Sequence, residues 1–382
     1  MQKQGTFTFT LCSLYFLFAL LLNSVGIVIH KSLHMYGIDE VSASSLEAYK
    51  DLPIALVSLV AGSLLPRLGH RLSLQLCLWL VSATCLLLYL HPSFINMKIL
   101  FAAVGVSFAG TKISLYTLAR ERTGFIHSIE AWFMLGVASA FWVFPLFFEE
   151  DQPLAWTRIY LVLSFLFGVA ALLIRSYAFP PMAEAGLKAV GSTLKSPVLW
   201  GFGACAFFYV MVEQGIMTWL PTFNERALAI SETWSVRLSV LLSLSLALGR
   251  LAVAQFFPNV SWLKVLLFCL AGSLLLLVLP SISSSPLFTW GFPWIGLFLG
   301  PIYPLISTAV MSSTAAERQA TYAALLVFFS ALGGSGGARI MGYWFRDYQG
   351  SYSFIALAAP VIFLLLSAIF LSKSISALKP KN

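Results

Sequence analysis

The chain has 382 residues, 59% of them hydrophobic and only 10% charged. Soluble domains carry about 25% charge, so the composition excludes a soluble domain and points to an integral membrane protein. The formal net charge of +8 is what Lys and Arg collecting on the cytoplasmic side of a membrane produce. No basic cluster interleaves with aromatics, which argues against nucleic acid as a partner.

The N-terminus carries Lys3 and then an apolar segment of about twenty residues. It lacks a small-residue cleavage site followed by a polar mature domain. It therefore reads as a first transmembrane helix and not as a removable signal peptide. Counting it, the chain has twelve apolar spans in order: near 7–29, 46–65, 72–90, 99–119, 125–147 and 156–178, then 198–220, 234–257, 262–279, 287–311, 321–345 and 352–371. Each is long enough to cross a bilayer as a helix. Residues 180–197, rich in Pro, Gly and Ser, form the longest polar stretch and divide the chain into 1–179 and 198–382. The expected architecture is an all-α membrane protein of twelve transmembrane helices in two six-helix bundles joined by a cytoplasmic linker.

Lys and Arg set the orientation. With the N-terminus inside, thirteen basic residues fall on the cytoplasmic side (among them Lys3, Arg67, Arg71, Arg120, Arg122 and Arg175) and seven on the other. An even number of spans with both termini in the cytoplasm is expected, in a bacterial inner (plasma) membrane. The five cysteines, Cys12, Cys77, Cys85, Cys205 and Cys269, all lie in apolar runs without metal-ligand spacing. They read as small buried hydrophobes.

Glu213 is the centre of the functional reading. It stands inside the apolar run of the seventh span, in Tyr209-Val-Met-Val-Glu213-Gln214-Gly-Ile-Met-Thr-Trp219-Leu-Pro221. A carboxylate at membrane depth costs roughly 2.5–3.5 kcal/mol on insertion scales and is kept only against a partner, a cavity or a solute. Two readings stand: a protonated structural hydrogen bond between helices, or a group that binds a solute or a proton. The loop after the second span reads Gly62-Ser-Leu-Leu-Pro66-Arg67-Leu-Gly69-His70-Arg71.

Six plus six spans is the architecture of the major facilitator superfamily, and the Gly62–Arg71 loop resembles its gating-loop motif, with Pro66 where the family has Asp. There Arg67 and Arg71 would bind helix ends across the cytoplasmic seam. Tyr209…Glu213…Trp219-Leu220-Pro221, Leu248-Gly249-Arg250, Gly300-Pro301-Ile302-Tyr303-Pro304 and the run Gly333 to Ala338 are similar to the fucose/galactose–proton symporter branch of that family. That branch carries acids in its first and fourth spans. Here Gly26 and Gly110-Thr111 stand near those positions, which puts that route of proton coupling, and fucose itself, in doubt.

Other polar groups at depth have competing readings. Gly105, Ala109, Lys112 and Tyr116 share one helical face, and Lys112 either lines a cavity or snorkels to the boundary. Glu130 is expected to pair with Lys112, Arg120 or Arg122 as a gate. Arg250 is expected to anchor the cytoplasmic seam of the second half. Arg339 either snorkels to the outer surface or holds an anionic solute. Glu47, Lys50 and Asp51 are either a solvated surface triplet or an outer-gate network and proton entry point. Trp219 and Trp290 are expected in interfacial belts. Tyr209, Tyr303 and Trp294 are expected to line the cavity, with Asn23 and Gln214 as neutral hydrogen-bonding groups.

A secondary transporter of a small polar, sugar-like solute, working by alternating access and coupled to a proton or another ion, fits these features best. Glycines such as Gly136, Gly333, Gly336 and Gly337 would let its helices move closely past one another. Export of a metabolite or drug-like compound by the same machinery is the alternative, and a transporter-like receptor is a different class. The expected partners are the solute, the coupling ion and lipids, with the chain a monomer. No metal or cofactor is expected. None of the five histidines forms HExxH, and there is no P-loop, so neither an enzyme nor an ATP-driven pump is indicated.

Overall fold

The computed structural model describes residues 2–119, 123–149, 151–179, 195–256, 260–282, 286–314, 316–348 and 354–378. Those residues are helical almost throughout and contain no strand. In hydrocarbon every backbone N–H and C=O must be satisfied within the protein, which a helix does by itself. Among the described residues, ten helices are long and apolar enough to cross a membrane, and Ala131–Phe147 is a shorter apolar one. The remaining expected span, the second, is the first part of a long helix described below.

By contacts the chain divides into two units: Met1–Ile38 with Ser45–Gly186, and Asp39–Ser44 with Leu187–Asn382. Most of the expected linker, residues 180–194, lies outside the described residues.

In the first unit, α1 (Gln2–Leu22) and α2 (Val25–Tyr36) make one span interrupted at Asn23-Ser24. The side chains at the break turn back on their own helix. Asn23 Nδ2 donates to Ala19 O at 2.8 Å and Ser24 Oγ to Leu21 O at 2.7 Å. The short helix α3 (Glu40–Ala43) follows and belongs to the second unit. Next, α4 (Ser45–Leu90) holds the second and third spans, bent at Gly69, whose φ is 73°. A side chain at positive φ crowds its own carbonyl, and glycine has none to crowd. The unit is completed by α5 (Phe94–Ala119), α6 (Thr123–Val143) and α7 (Arg158–Arg175). α4 packs on α5 and α7, and α1 on α6. Phe18, Phe101, Phe141, Phe144 and Phe167 are fully buried in this unit.

In the second unit, α8 (Pro197–Leu228) is the central helix. After it come α9 (Glu232–Leu238), α10 (Val240–Phe256), α11 (Trp262–Ile282) and α12 (Pro286–Gly291). The tenth span is segmented: a 3-10 turn Phe292–Ile295, α13 (Gly296–Leu299), the pair Gly300-Pro301, then α14 (Ile302–Ser313). α15 (Ala316–Asp347) and α16 (Ala358–Leu378) close the unit. α15 lies directly on α8. A Cβ at Gly333 would sit 2.1 Å from Phe207 O, and one at Gly337 2.0 Å from Met211 O. Small residues four apart let helix backbones meet in a membrane. α3 docks on the far end of α15, where Arg226 Nη2 lies 2.7 Å from Glu40 Oε1 and Arg339 donates to Val41 O. All five cysteines are unpaired, and all but the half-buried Cys77 are buried.

Candidate functional site

Glu213 lies 16 residues from one end of α8 and 15 from the other. At 1.5 Å per residue that is roughly 23 Å from either end, so its carboxylate stands near the middle of a hydrocarbon layer about 30 Å thick. Tyr209, one turn earlier on the same face, donates its hydroxyl to Glu213 Oε1 at 2.8 Å. The guanidinium of Arg250, from α10, brings Nη2 to 3.5 Å from the same oxygen. The Tyr303 ring, on α14, lies 5.7 Å from that of Tyr209. Two helices thus meet at the carboxylate, and a third packs its ring against Tyr209.

Backbone chemistry explains how Arg250 is held there. Pro304 has no N–H, so it cannot donate to the carbonyl four residues back, that of Gly300. Arg250 Nε supplies the missing donor at 3.1 Å. Pro301 frees the Leu297 carbonyl in the same way, and α10 presses its Gly249 against it: a Cβ there would lie 2.3 Å from Leu297 O. Gly296 and Gly300 likewise admit no side chain against Ser245 and Leu246. The glycines bring α10 onto the broken span at backbone distance, and Arg250, next to Gly249, reaches both the freed carbonyl and Glu213.

The pair is not sealed. Side-chain exposure is 15% for Glu213 and 36% for Arg250. An ionised pair in mid-span facing lipid would be strongly disfavoured.

Arg250 was expected at the cytoplasmic seam; it instead pairs with the mid-span acid. Sequence spacing could not show this, because the partners are on different helices. The signal in the sequence is Pro304, four residues after Gly300, which announces a carbonyl in need of a donor without saying which donor. Trp294 was expected in the cavity. The 3-10 turn buries its neighbours Phe292, Pro293 and Ile295 and turns Trp294 outward, 44% exposed. With Trp290, Leu276, Leu287 and Gly291 it lines an open apolar groove. Trp219 was expected in an interfacial belt. It is fully buried, donates Nε1 to Ala338 O at 3.0 Å and stacks on Phe345 at 5.0 Å. Trp290 is 48% exposed.

Gln214 is half-buried on α8, turned about 100° from Glu213. Asn23 and Lys112 belong to the first unit. Asn23 spends its amide on Ala19 O. Lys112 is half-buried, with its ammonium 5.7 Å from the centroid of Phe108. Glu130 lies on α6, but its side chain is outside the described residues, as are Arg120, Arg122 and the side chain of Tyr116. Arg67 is exposed. Arg71 donates Nε and Nη2 to Tyr177 O at 3.2 and 2.7 Å, just past the end of α7. A cation at the C-terminus of a helix satisfies carbonyls that lack intrahelical donors. Arg339 is exposed, donates to Val41 O of α3 and holds its guanidinium 5.3 Å from the Tyr343 ring.

Comparison with known proteins agrees with this architecture. A family model, the Major Facilitator Superfamily, matches residues 7–338. No curated protein is similar enough in sequence to match the chain. Among solved structures, a bacterial homolog of the human lysosomal transporter Spinster, inward-facing and occupied, superposes with a TM-score of 0.73 at 15% identity, over 97% of this chain and 96% of that one. The nucleoside transporter NupG gives 0.71 at 16% identity, over 98% and 99%. The E. coli fucose:proton symporter FucP gives 0.66 at 14% identity, over 95% and 98%. These identities speak for the fold alone, while the family match spans most of the sequence: the chain belongs to the Major Facilitator Superfamily.

Proposed function

We propose that this protein is a secondary transporter that carries a small polar, sugar-like solute across the membrane by alternating access, with Glu213 as the group that binds the solute or a coupling proton. The observation that carries the reading is the mid-span carboxylate held by Tyr209 and Arg250 and left partly open. A structural hydrogen bond between helices needs no arginine, and an ion pair serving only packing is better sealed. With Arg250 neutralising Glu213, the site carries no net charge and suits an uncharged polar solute, whose hydroxyls the second carboxylate oxygen accepts. The half-buried Tyr303 ring, packed against that of Tyr209, offers an apolar face for C–H groups. Protonation of Glu213 would weaken its hold on Arg250 and change the charge of the site. Two bundles rocking about a central site turn such a change into a bias between inward- and outward-open states. The excess of Lys and Arg on one side supports an orientation with both termini in the cytoplasm, in this reading that of a bacterium.

The test is a thermal-shift screen of sugars, organic acids and amphiphiles on the purified protein, repeated with Glu213→Gln. Flux of any stabilising solute is then measured in proteoliposomes with and without a pH gradient. A solute whose stabilisation vanishes in Glu213→Gln, and whose uptake follows the gradient, supports the reading. A hit indifferent to the substitution places the site elsewhere. Flux indifferent to the gradient removes the proton.

A further inference from the structure

Both groups that hold Glu213 reach the same carboxylate oxygen. Tyr209 donates its hydroxyl to Oε1 at 2.8 Å, and Arg250 Nη2 lies 3.5 Å from Oε1. The Tyr209 side chain is buried and its ring packs on that of Tyr303, so the hydroxyl is held on that oxygen. No described residue donates to Oε2, and Oε2 is not one of the sealed, unsatisfied oxygens of the interior. The side chain is 15% exposed. The two oxygens are therefore unequal: Oε1 is committed and Oε2 is open.

That inequality decides where a proton goes. An ionised carboxylate only accepts hydrogen bonds, whereas a protonated one carries an O–H. Oε1 already faces an O–H and a guanidinium, so a proton added there would meet hydrogen head on. It goes to Oε2, on the lone pair that points into the open space. A solute hydroxyl or N–H donating to the carboxylate needs that same lone pair.

The charged and titratable groups acting on Glu213 are Arg250 and Tyr209. Those on the surrounding elements face elsewhere. Arg226, further along α8, pairs with Glu40 of α3. On α15, Tyr322 donates to Ser196 Oγ at 3.0 Å, Arg339 donates to Val41 O, and Tyr343 lies against Arg339 and Arg346. Lys373 of α16 follows Leu371, which packs on Gly201, about three turns from Glu213. Glu232 and Arg237 of α9 come after the end of α8 at Leu228.

We propose that a proton and a hydrogen-bond donor of the solute compete for Glu213 Oε2, so that each solute bound displaces one proton to water and the protein exchanges solute for protons across the membrane. This rests on the reading above that Glu213 binds the solute. Two ligands that exclude each other from one site do not cross together, so the cycle is counter-transport: the carrier returns with whichever it has picked up. The solute is an uncharged compound with hydroxyl or N–H donors. A compound offering only carbonyl or ether oxygens would instead need the protonated acid.

The experiment takes the purified full chain with D-galactose and uridine as hydroxyl-bearing probes of two sizes. Isothermal titration in buffers of different ionisation enthalpy measures affinity and counts protons together. Below the pH at which Glu213 titrates, about one proton should be released per probe bound, and affinity should fall about tenfold per pH unit. Glu213→Gln should abolish binding and release alike. Tyr209→Phe frees Oε1, so proton and donor no longer need one oxygen, and release should drop well below that of wild type. In proteoliposomes, an outward gradient of the bound probe should draw protons inward. Proton uptake on binding, an affinity indifferent to pH, or protons leaving with the probe overturns the exchange and leaves Glu213 as the binding group. Release undiminished in Tyr209→Phe overturns the assignment to Oε2. Gel filtration checks that variant's folding, and the wild-type proton count carries the test without it. Binding that survives Glu213→Gln, or no binding of either probe, removes the solute reading and the exchange together.

Discussion

Arg250→Met strands Glu213. The substitution removes two interactions at once: the pairing with the mid-span carboxylate and the hydrogen bond to Gly300 O. Removing one partner of a buried ion pair costs about 3–5 kcal/mol. Arg250 is 36% exposed here, so water screens part of the loss and about half that figure is expected, ~2 kcal/mol. The orphaned carbonyl adds ~1 kcal/mol, for a total of ~3 kcal/mol. In Arg250→Met with Glu213→Gln the carbonyl is still orphaned, but no charge is stranded. The double variant should therefore be more stable than Arg250→Met alone, by ~2 kcal/mol. Equilibrium unfolding in mixed micelles, titrated with SDS, measures all three variants against wild type. The Gly300 contribution appears in both variants that lack Arg250 and cancels in the cycle. If the double variant is no more stable than the single one within ~0.5 kcal/mol, Glu213 is not ionised against Arg250, and the electrostatic reading of the site fails.

Three further outcomes follow from local geometry. Gly69→Ala forces a side chain into the positive-φ, extended-ψ region at the α4 bend, which is essentially glycine's alone, and should cost ~1–3 kcal/mol in thermal unfolding; equal stability of the alanine variant and wild type would show that the bend relaxes. Gly337→Val drives a branched side chain into Met211 O and should abolish a monodisperse gel-filtration peak, whereas Gly336→Ala, whose Cβ would meet only the flexible end of Met211 at 3.1 Å, should keep it; the reverse order would refute the packing. Asp39 caps α3: the Ser42 side chain and then the Ser42 N–H, at 3.2 Å, hold its carboxyl below the usual carboxylate range. A depressed carboxylate pKa stabilises the fold above the unfolded value of about 3.9, and that stabilisation is lost as pH falls through the folded value. Hydrogen exchange at residues 40–44 should rise on acidification below that range in wild type; in Asp39→Ala it should already be high at neutral pH and flat.

The sequence carries the spans because twenty apolar residues in a row have one economical structure in lipid. It carries the bends too, since Gly69 and the pair Pro301 and Pro304 mark positions where a continuous helix loses something. Glu213 is legible because an acid in an apolar run always needs a reason. What the sequence withholds is azimuth. Trp294 and Tyr303 are both aromatics of the tenth span, and only the 3-10 turn before α13 sends the first outward. Trp219 sits near a proline, as interfacial residues do, yet its indole fills the contact between α8 and α15. The partner of Glu213 was hidden for a different reason. A salt bridge between helices depends on which glycines let those helices touch, and Gly249, Gly296 and Gly300 act together only once the chain has folded. The burial of Glu47, Lys50 and Asp51 likewise depends on Gly105, more than fifty residues along the chain, where a Cβ would lie 2.2 Å from Lys50 O.

The guanidinium of Arg250 holds both a carboxylate on one helix and a main-chain oxygen on another. Neither bond can be lengthened without disturbing the other. A change of charge at the acid would therefore reach the peptide frame of the tenth span directly, where Pro301 and Pro304 have already removed internal ties.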